Sequence, residues 1–223
     1  MSRNRLSPAM QYKLICFDLD GTLVDDTVYI WKTLHDAFDV PKDQRQRHYE
    51  DYLNGRITYA QWFEADIDAW RERGKRRNDL LAVIRQLSLM PGAIETLDTL
   101  RQQGYKLAII SGSIDIVIDT LLDTDHFDDV FVNRIFFDTA GNITGGEPTP
   151  YDMEHKATGL RVIAERESLQ LEECVFVGDN ENDVHIAEIA GLSIAFNSKS
   201  QRLDEIADVV IEKKDLREVL QYL

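Results

Sequence analysis

Acidic residues crowd into one short stretch of the chain, "KLICFDLDGTLVDD" at positions 13–26. Asp18 and Asp20 come directly after an apolar run at positions 14–17. If that run is a strand that continues, the two side chains point the same way, because strand side chains alternate with a period of two. We interpret the paired acids as the place where a divalent cation and a reacting group meet.

Two further groups of polar side chains also follow apolar runs. "SGS" at 111–113 follows one run, "GDNEND" at 178–183 follows another, and Lys156 lies between them. Carboxylates, a hydroxyl and a lysine suit phosphoryl transfer, in which the protein mainly positions groups and neutralises charge on the phosphoryl oxygens. Mg²⁺ prefers carboxylate oxygens and water. We therefore predict that Asp18 and Asp179 hold Mg²⁺, which shields a carboxylate nucleophile from the anionic phosphate.

The elements that must position these groups can be predicted from hydrophobic patterning. A helix is predicted between Pro91-Gly92 and Gly104, another over 114–122, and a β-hairpin around Gly141-Asn142. Ser111 fits the N-cap of the helix over 114–122, a phosphate contact, or both. Near-continuous apolar runs predict parallel strands covered on both faces, at Leu14–Phe17, Leu107–Ile110, Cys174–Val177, Leu192–Phe196 and Val209–Ile211. The alternation predicts an α/β fold with a doubly wound, Rossmann-like parallel sheet, which binds ligands at the carboxyl ends of its strands.

The stretch 27–87 differs from the rest because it is charged and aromatic and shows helical spacing without a convincing strand. We predict a helical cap over 27–87, inserted after the first strand of a catalytic core formed by 1–26 and 88–223. The charged residues within 71–77 are expected to be solvated. The aromatic residues are expected to form the insertion's own core: Trp62, Phe63 and Trp70.

Composition excludes several classes of protein. The chain has 25 basic and 40 acidic residues, a net charge of −15, so general binding to nucleic acid or to an anionic membrane is not expected. Cys16 and Cys174 are the cysteines, and each lies in an apolar run, which predicts reduced core residues. The first ten residues show no leader-like apolar segment, and we expect a cytoplasmic protein. No histidine has metal-ligand spacing, so none is assigned to a site.

Four motifs in this order, "DLDGTLV", "SGS", Lys156 and "GDNEND", resemble those of the haloacid dehalogenase superfamily. They span essentially the whole predicted core. The phosphoserine phosphatase-like branch is the most similar, because "PGAIETLDTLRQQGYKLAIISGS", "NRIFF…NITGG" and "AGLSIAFNSK" also resemble its segments. The resemblance implies a Mg²⁺-dependent phosphomonoesterase that acts on a small phosphorylated metabolite through an aspartyl-phosphate.

The resemblance also implies catalytic roles for three side chains. Asp18 matches the nucleophile, and its carboxylate also matches a metal ligand. Asp20 matches the acid/base that protonates the leaving oxygen and later activates water, and its backbone carbonyl matches a second metal ligand. Lys156 matches the lysine that pairs with the phosphate and with Asp18.

The remaining motif residues match binding roles in the family. Ser111 and the backbone N–H of Gly112 match the groups that hold phosphoryl oxygens. Asp179 matches the residue that completes the metal shell. Asn182 and Asp183 match residues that orient the metal site, and Asn182 is also expected to reach the substrate.

Two positions depart from the phosphoserine phosphatase pattern. The glutamate that meets the substrate's amino group is replaced by Thr27, and a gapless match places Glu64 at the arginine that meets the carboxylate. Arg56 or an arginine within 71–77 is a candidate to compensate. We therefore expect that phosphoserine is not the preferred substrate, with phosphoserine phosphatase activity as the alternative.

Other chemistries are less consistent with the residues. Dehalogenation has no use for an acid at Asp20, and a P-type pump needs membrane helices that the sequence lacks. A receiver-like signalling module also uses a phosphorylated aspartate, a hydroxyl, a lysine and Mg²⁺. Asp20 and the large insertion argue against that alternative.

Overall fold

The strand that carries the paired acids runs through the middle of a parallel sheet. In the computed structural model, which describes residues 11–122 and 124–223, the sheet has seven strands in the order β4-β3-β2-β1-β5-β6-β7. Every neighbouring pair is parallel except β3 with the edge strand β4. The strands are β1 Leu14–Phe17, β2 Lys106–Ile114, β3 Asp129–Phe137, β4 Ile143–Glu147, β5 Cys174–Gly178, β6 Leu192–Phe196 and β7 Val209–Ile211. The first ten residues lie outside the described residues. The predictions made for them, that they contain no leader and that they begin the core, therefore stay predictions.

Successive side chains of β1 enter two hydrophobic cores, one on each face of the sheet. Ile15 and Phe17 pack into one core, and Leu14 and Cys16 into the other. Cys16 and Cys174 are both buried free thiols, as predicted. The helices that cover these faces outside 27–87 are α5 Ala93–Gln103, α6 Asp115–Leu121, α7 Lys156–Arg166, α8 Val184–Ala187 and α9 Gln201–Ile206. The doubly wound α/β fold predicted from the sequence is therefore confirmed.

Residues 27–87, all of which are described, fold into four helices: α1 Ile30–Ala37, α2 Lys42–Leu53, α3 Tyr59–Arg71 and α4 Arg77–Ile84. Helix α3 begins at a capping box, in which the Thr58 hydroxyl accepts the Gln61 N–H and the Gln61 side chain accepts the Thr58 N–H. Trp70 on its inner face is completely buried and belongs to the same core as Phe17. The cap thus shares one hydrophobic core with the central sheet rather than standing apart from it.

The turn residues of the sequence correctly predicted where other elements begin and end. Gly92 and Gly104 flank α5 in the left-handed conformation that glycine adopts without steric cost. The predicted hairpin is formed by β3 and β4 at the sheet edge, with Gly141 in its turn. One boundary is wrong: Ile114 ends β2 instead of starting a helix, because it pairs with Asn133 of β3. No helix in the described part of the chain is long and apolar enough to cross a membrane.

Candidate active site

The carboxyl ends of three adjacent central strands carry the predicted catalytic groups. Asp18 follows β1, Ser111 and Gly112 lie near the end of β2, and Asp179 follows β5. Since β1 lies between β2 and β5, these groups meet at one edge of the sheet. Lys156, the first residue of α7, reaches the same edge with a completely buried side chain.

Asp18 and Lys156 are in direct contact. The Lys156 Nζ lies 3.1 Å from Asp18 Oδ2 and 2.7 Å from Asp183 Oδ1. Burial by itself lowers the pKa of Lys156, but the neighbouring carboxylates of Asp18 and Asp183 outweigh it and raise the pKa above its usual value. Lys156 therefore stays positively charged beside the predicted nucleophile.

Asp18, Asp179 and Asp183 bring carboxylate oxygens within 4.8 Å of one another. Asp179 Oδ2 is buried without a hydrogen-bond partner, and burial followed by repulsion from Asp18 raises the pKa of Asp179. A Cβ on Gly21 would lie only 2.3 Å from this oxygen, so the glycine keeps space open beside it. An all-carboxylate donor set with an orphaned oxygen fits a hard divalent cation such as Mg²⁺.

Asp183 is held more firmly than its two neighbours. Its Oδ1 accepts from Lys156, and its Oδ2 accepts the backbone N–H groups of Asp179 and Asn180. This arrangement suits the predicted orienting role, since both oxygens fix groups around the metal site. The assignment of Asp183 to orientation rather than direct ligation stays a prediction.

The Asp20 side chain does not belong to the cluster formed by the carboxylates of Asp18, Asp179 and Asp183. Its Oδ2 accepts the Ile30 N–H at 2.7 Å, and its Oδ1 accepts the Ser113 hydroxyl at 2.9 Å. Burial, with a further contribution from Asp18, raises the pKa of Asp20 to about 7. A carboxyl group with this pKa can both give and take a proton near neutral pH, which suits a general acid/base.

Ser111–Ser113 lie in the part of β2 where its register with β3 shifts, and we call this bulged segment the phosphate loop. It is fixed by side chains that the motifs did not identify. The Gly112 carbonyl accepts hydrogen bonds from Trp31 Nε1 of α1 and from Asn133 Nδ2 of β3, both at 2.7 Å. The predicted N-cap role of Ser111 is wrong, because α6 begins only at Asp115 and its start has no side-chain cap. Instead, the Ser111 hydroxyl accepts the Ser113 N–H within the loop.

Asn182 and Asp152 connect this loop to the cap. Asn182 Nδ2 lies 3.5 Å from Asp152 Oδ1, and the Tyr59 hydroxyl of α3 donates to Asp152 Oδ2 at 2.8 Å. Asn182 lines the cavity above Asp18, as expected for a residue that reaches substrate. Its Oδ1 is buried without a partner.

A cavity of about 410 Å³ opens above Asp18 and Asp20 between cap and core, which is the size range of small-molecule sites. The three cap aromatics were predicted to form a core rather than a stacking platform. Phe63 and Trp70 do lie in the hydrophobic core, but Trp62 and Phe63 also line this cavity, so the prediction holds only in part. Trp70 Nε1 donates to His35 Nδ1, which gives that buried histidine a packing role.

The basic residues proposed to compensate in the cap do not line the cavity. Arg56 pairs with Asp51 at 2.6 Å, and Arg71 pairs with Glu64 at 2.9 Å. The Arg71 side chain is only 31% exposed, so the prediction of a solvated charge run within 71–77 is partly wrong.

Sequence reasoning missed five residues that organise the site: Trp31, Tyr59, Ser113, Asn133 and Asp152. Ser113 is the last residue of the "SGS" motif, so its position after an apolar strand was a signal that could have identified it. Asn133 begins the "NRIFF" segment, but that resemblance assigned it no role. Trp31, Tyr59 and Asp152 lie in none of the matched segments, and only the packing of the cap and of β3 against the end of β2 brings the four residues together.

Comparison with known proteins places the chain in a family. A model of haloacid dehalogenase-like hydrolases matches residues 12–191. The phosphoserine phosphatase of Methanocaldococcus jannaschii is 32% identical over 95% of this chain and 97% of its own length. A phosphoglycolate phosphatase of Pasteurella multocida is 29% identical, over 82% of this chain and 84% of its own length.

Solved structures agree with this placement. One described as a phospho-aspartyl intermediate analogue of phosphoserine phosphatase aligns with a TM-score of 0.74 at 31% identity. The alignment covers 96% of this chain and all of that one. The similarity therefore includes both the sheet and the cap.

Proposed function

The chain belongs to the haloacid dehalogenase-like hydrolases, as a phosphoric monoester hydrolase similar to phosphoserine phosphatases, and from this premise we propose a mechanism and a substrate class. It hydrolyses a small phosphomonoester through an aspartyl-phosphate formed on Asp18, with Mg²⁺ as the cofactor. The cytoplasmic location and the lack of nucleic-acid binding remain predictions from the sequence.

The observation that carries this proposal is the convergence at the end of β1. Asp18 Oδ2 lies 3.1 Å from the buried Lys156 Nζ, and Asp18 belongs to the same cluster of carboxylates as Asp179. Lys156 stabilises the negative charge of the nucleophile and of the incoming phosphate. The Ser111–Ser113 loop supplies a hydroxyl and backbone N–H groups for the phosphoryl oxygens.

Two residues divide the chemistry. Asp18 forms a bond to phosphorus while the bond from phosphorus to the leaving oxygen breaks, and Asp20 gives that oxygen its proton. Asp20, now ionised, then takes a proton from water, which attacks the phosphorus and releases phosphate and Asp18. The pKa of about 7 lets Asp20 serve in both steps at neutral pH.

The residues that would hold Mg²⁺ are Asp18, Asp179 and the backbone carbonyl of Asp20, with Asp183 and Asn182 around them. When bound, the ion would neutralise part of the negative charge on the phosphoryl oxygens and on the carboxylates. The orphaned oxygen of Asp179 supports this assignment.

Exchange of Asp18 for Asn tests the proposal. In Asp18→Asn, release of phosphate from p-nitrophenyl phosphate should fall to background, because an amide is neither a useful nucleophile nor a good ligand for a hard cation. Asp25→Asn is the matched control, since Asp25 lies in the same stretch but pairs with Lys214 at 2.7 Å and should keep wild-type activity. Near-normal turnover in Asp18→Asn would refute the mechanism.

Phosphoserine phosphatase activity is the second candidate, and the similar proteins of that name favour it. Two cap positions argue against a preference for phosphoserine. The hydroxyl of Thr27 bonds to that of Thr33 at 2.8 Å and carries no charge, and Glu64 pairs with Arg71. Comparison of kcat/KM for phosphoserine with that for other small phosphomonoesters decides between the candidates, and a clear preference for phosphoserine would overturn our choice.

A further inference from the structure

The cavity beyond the phosphate site is walled mainly by rings. Both cap and core contribute to this wall, and it lies directly above the predicted acid Asp20. The group that leaves when the phosphoester bond breaks must therefore rest against aromatic faces and edges. The aromatic lining residues are Tyr29, Trp31, Tyr49, Tyr59, Trp62 and Phe63.

The positively charged side chains of this wall already have an acidic partner. Lys32 and Arg45 line the cavity, and both face Asp36, with nitrogen–oxygen distances of 2.6 and 3.7 Å. A carboxylate on the leaving group would have to compete with Asp36 for either cation. The wall therefore offers poor recognition of a second anion.

Asp152 differs from Lys32 and Arg45, which pair with an opposite charge, because it is a carboxylate whose hydrogen-bond partners are neutral. Its oxygens contact the Tyr59 hydroxyl and the Asn182 amide, and across residues 11–122 and 124–223 no Lys, Arg or His side chain is within ion-pair distance. The carboxylate packs on Gly112, where a Cβ would lie 2.2 Å from Asp152 Oδ2. Asp152 thus lies at the junction of the phosphate loop and the cavity.

Two other acids of the cavity wall differ from Asp152 because a basic side chain faces each of them. Asp66 lies 3.1 Å from His35 Nε2, and Glu181 lies 3.7 Å from Arg202 Nη1. Among the described residues of this part of the wall, Asp152 is therefore the acid without a direct ion pair. Its charge does contribute to the raised pKa of Lys156, but that lysine already pairs with Asp18 and Asp183.

We propose that the leaving group carries an ammonium, so that the substrate is the phosphomonoester of an amino alcohol, and that Asp152 determines this specificity. The inference rests on the proposed function. An ammonium between a carboxylate and aromatic faces gains an ion pair and cation–π attraction. The alcohol departs with its ammonium unchanged, after its oxygen has received the proton of Asp20.

Matched substrates test this inference with the full chain and Mg²⁺. Ethanolamine phosphate is compared with propyl phosphate, and choline phosphate with 3,3-dimethylbutyl phosphate, because each pair differs in charge but hardly in shape. The ratio of kcat/KM within each pair should be about 10 to 100, the usual range for a hydrogen bond to a charged group. The two pairs distinguish a primary from a quaternary ammonium.

Asp152→Asn should bring this ratio down towards one. The Asn oxygen still accepts from Tyr59. Rotation of the Asn182 amide by 180° turns its unpartnered oxygen towards the new amide, which donates to it, so the geometry is retained. Glu154→Gln is the matched control, because Glu154 is exposed, lies two residues away and does not line the cavity, and it should keep the wild-type ratio.

The outcomes separate this inference from the proposed function. Equal kcat/KM within both pairs in the wild-type enzyme would overturn the ammonium specificity and leave the phosphatase assignment standing, whether or not the variant folds. A ratio that survives Asp152→Asn would overturn the role of Asp152. Failure to hydrolyse any ester, p-nitrophenyl phosphate included, would overturn the proposed function itself.

Discussion

Replacement of Asp20 by Asn isolates the proton transfer from the other interactions of this residue. In the structure, Asp20 Oδ2 accepts the Ile30 N–H and Oδ1 accepts the Ser113 hydroxyl. An Asn side chain keeps both bonds, since its oxygen accepts from Ile30 and its amide donates to the rotatable hydroxyl of Ser113. We therefore expect a small change in stability and an intact cavity.

The expected loss of activity follows from what the amide cannot do. Asn neither gives a proton to the leaving oxygen nor takes one from water, and loss of a general acid/base typically slows turnover by roughly 10²–10⁴. A leaving group that departs without a proton avoids the first of these defects. The reduction in kcat should thus be smaller for p-nitrophenyl phosphate than for an alkyl phosphate.

The pH dependence gives a second readout of the same residue. Burial raises the pKa of Asp20 to about 7, so the protonated acid is lost as the pH rises above that value. For an alkyl phosphate, the wild-type rate should fall through this range, and Asp20→Asn should remove the fall. The assay is steady-state phosphate release from both esters between pH 5 and 9, with Asp25→Asn as control. Equal losses for the two leaving groups, with an unchanged pH profile, would refute the assignment of Asp20 as the acid.

Two further results are expected. Mg²⁺ should raise the thermal midpoint more at pH 8 than at pH 5 in differential scanning fluorimetry, because burial, with repulsion from Asp18, raises the pKa values of Asp179 and Asp183. The metal-free folded state then binds extra protons and loses stability as these sites ionise with rising pH, so a larger shift at pH 5 would contradict this cause. Trp31→Phe should lower kcat/KM by about 2- to 10-fold in the same phosphate assay, because the ring packing is kept but the bond to the Gly112 carbonyl is lost; unchanged kinetics would show that this bond does not position the loop.

Much of the core could be predicted from the sequence because its determinants are local. The apolar run of β1 is buried on both faces and leads directly into Asp18, and Gly92 and Gly104 mark the two ends of α5 through their own backbone freedom. The rule that ligands bind at the carboxyl ends of parallel strands then places Asp18 and Asp179 at one edge. The order of the strands was read from the structure.

The errors arose where a distant strand or helix decided the outcome. The pattern over 111–114 resembles a helix start, but pairing with β3 extends β2 through Ile114 and removes the predicted N-cap. Trp62 was grouped with its neighbour Phe63 and with Trp70 as a core residue, yet the orientation of α3 against the core turns it to the cavity. Local propensity cannot report either effect, because both depend on contacts between separate segments.

The sequence by itself determined the acids, the lysine and the strand ends that bring them together, since each follows from residue type and short-range spacing. Only the tertiary structure decided what surrounds the leaving group. Tyr59 of the cap, Asn133 of β3 and Asp152 before α7 are far apart in the chain, and no period or motif links them. They meet because the cap packs against the sheet edge, where burial requires each polar group to find a partner.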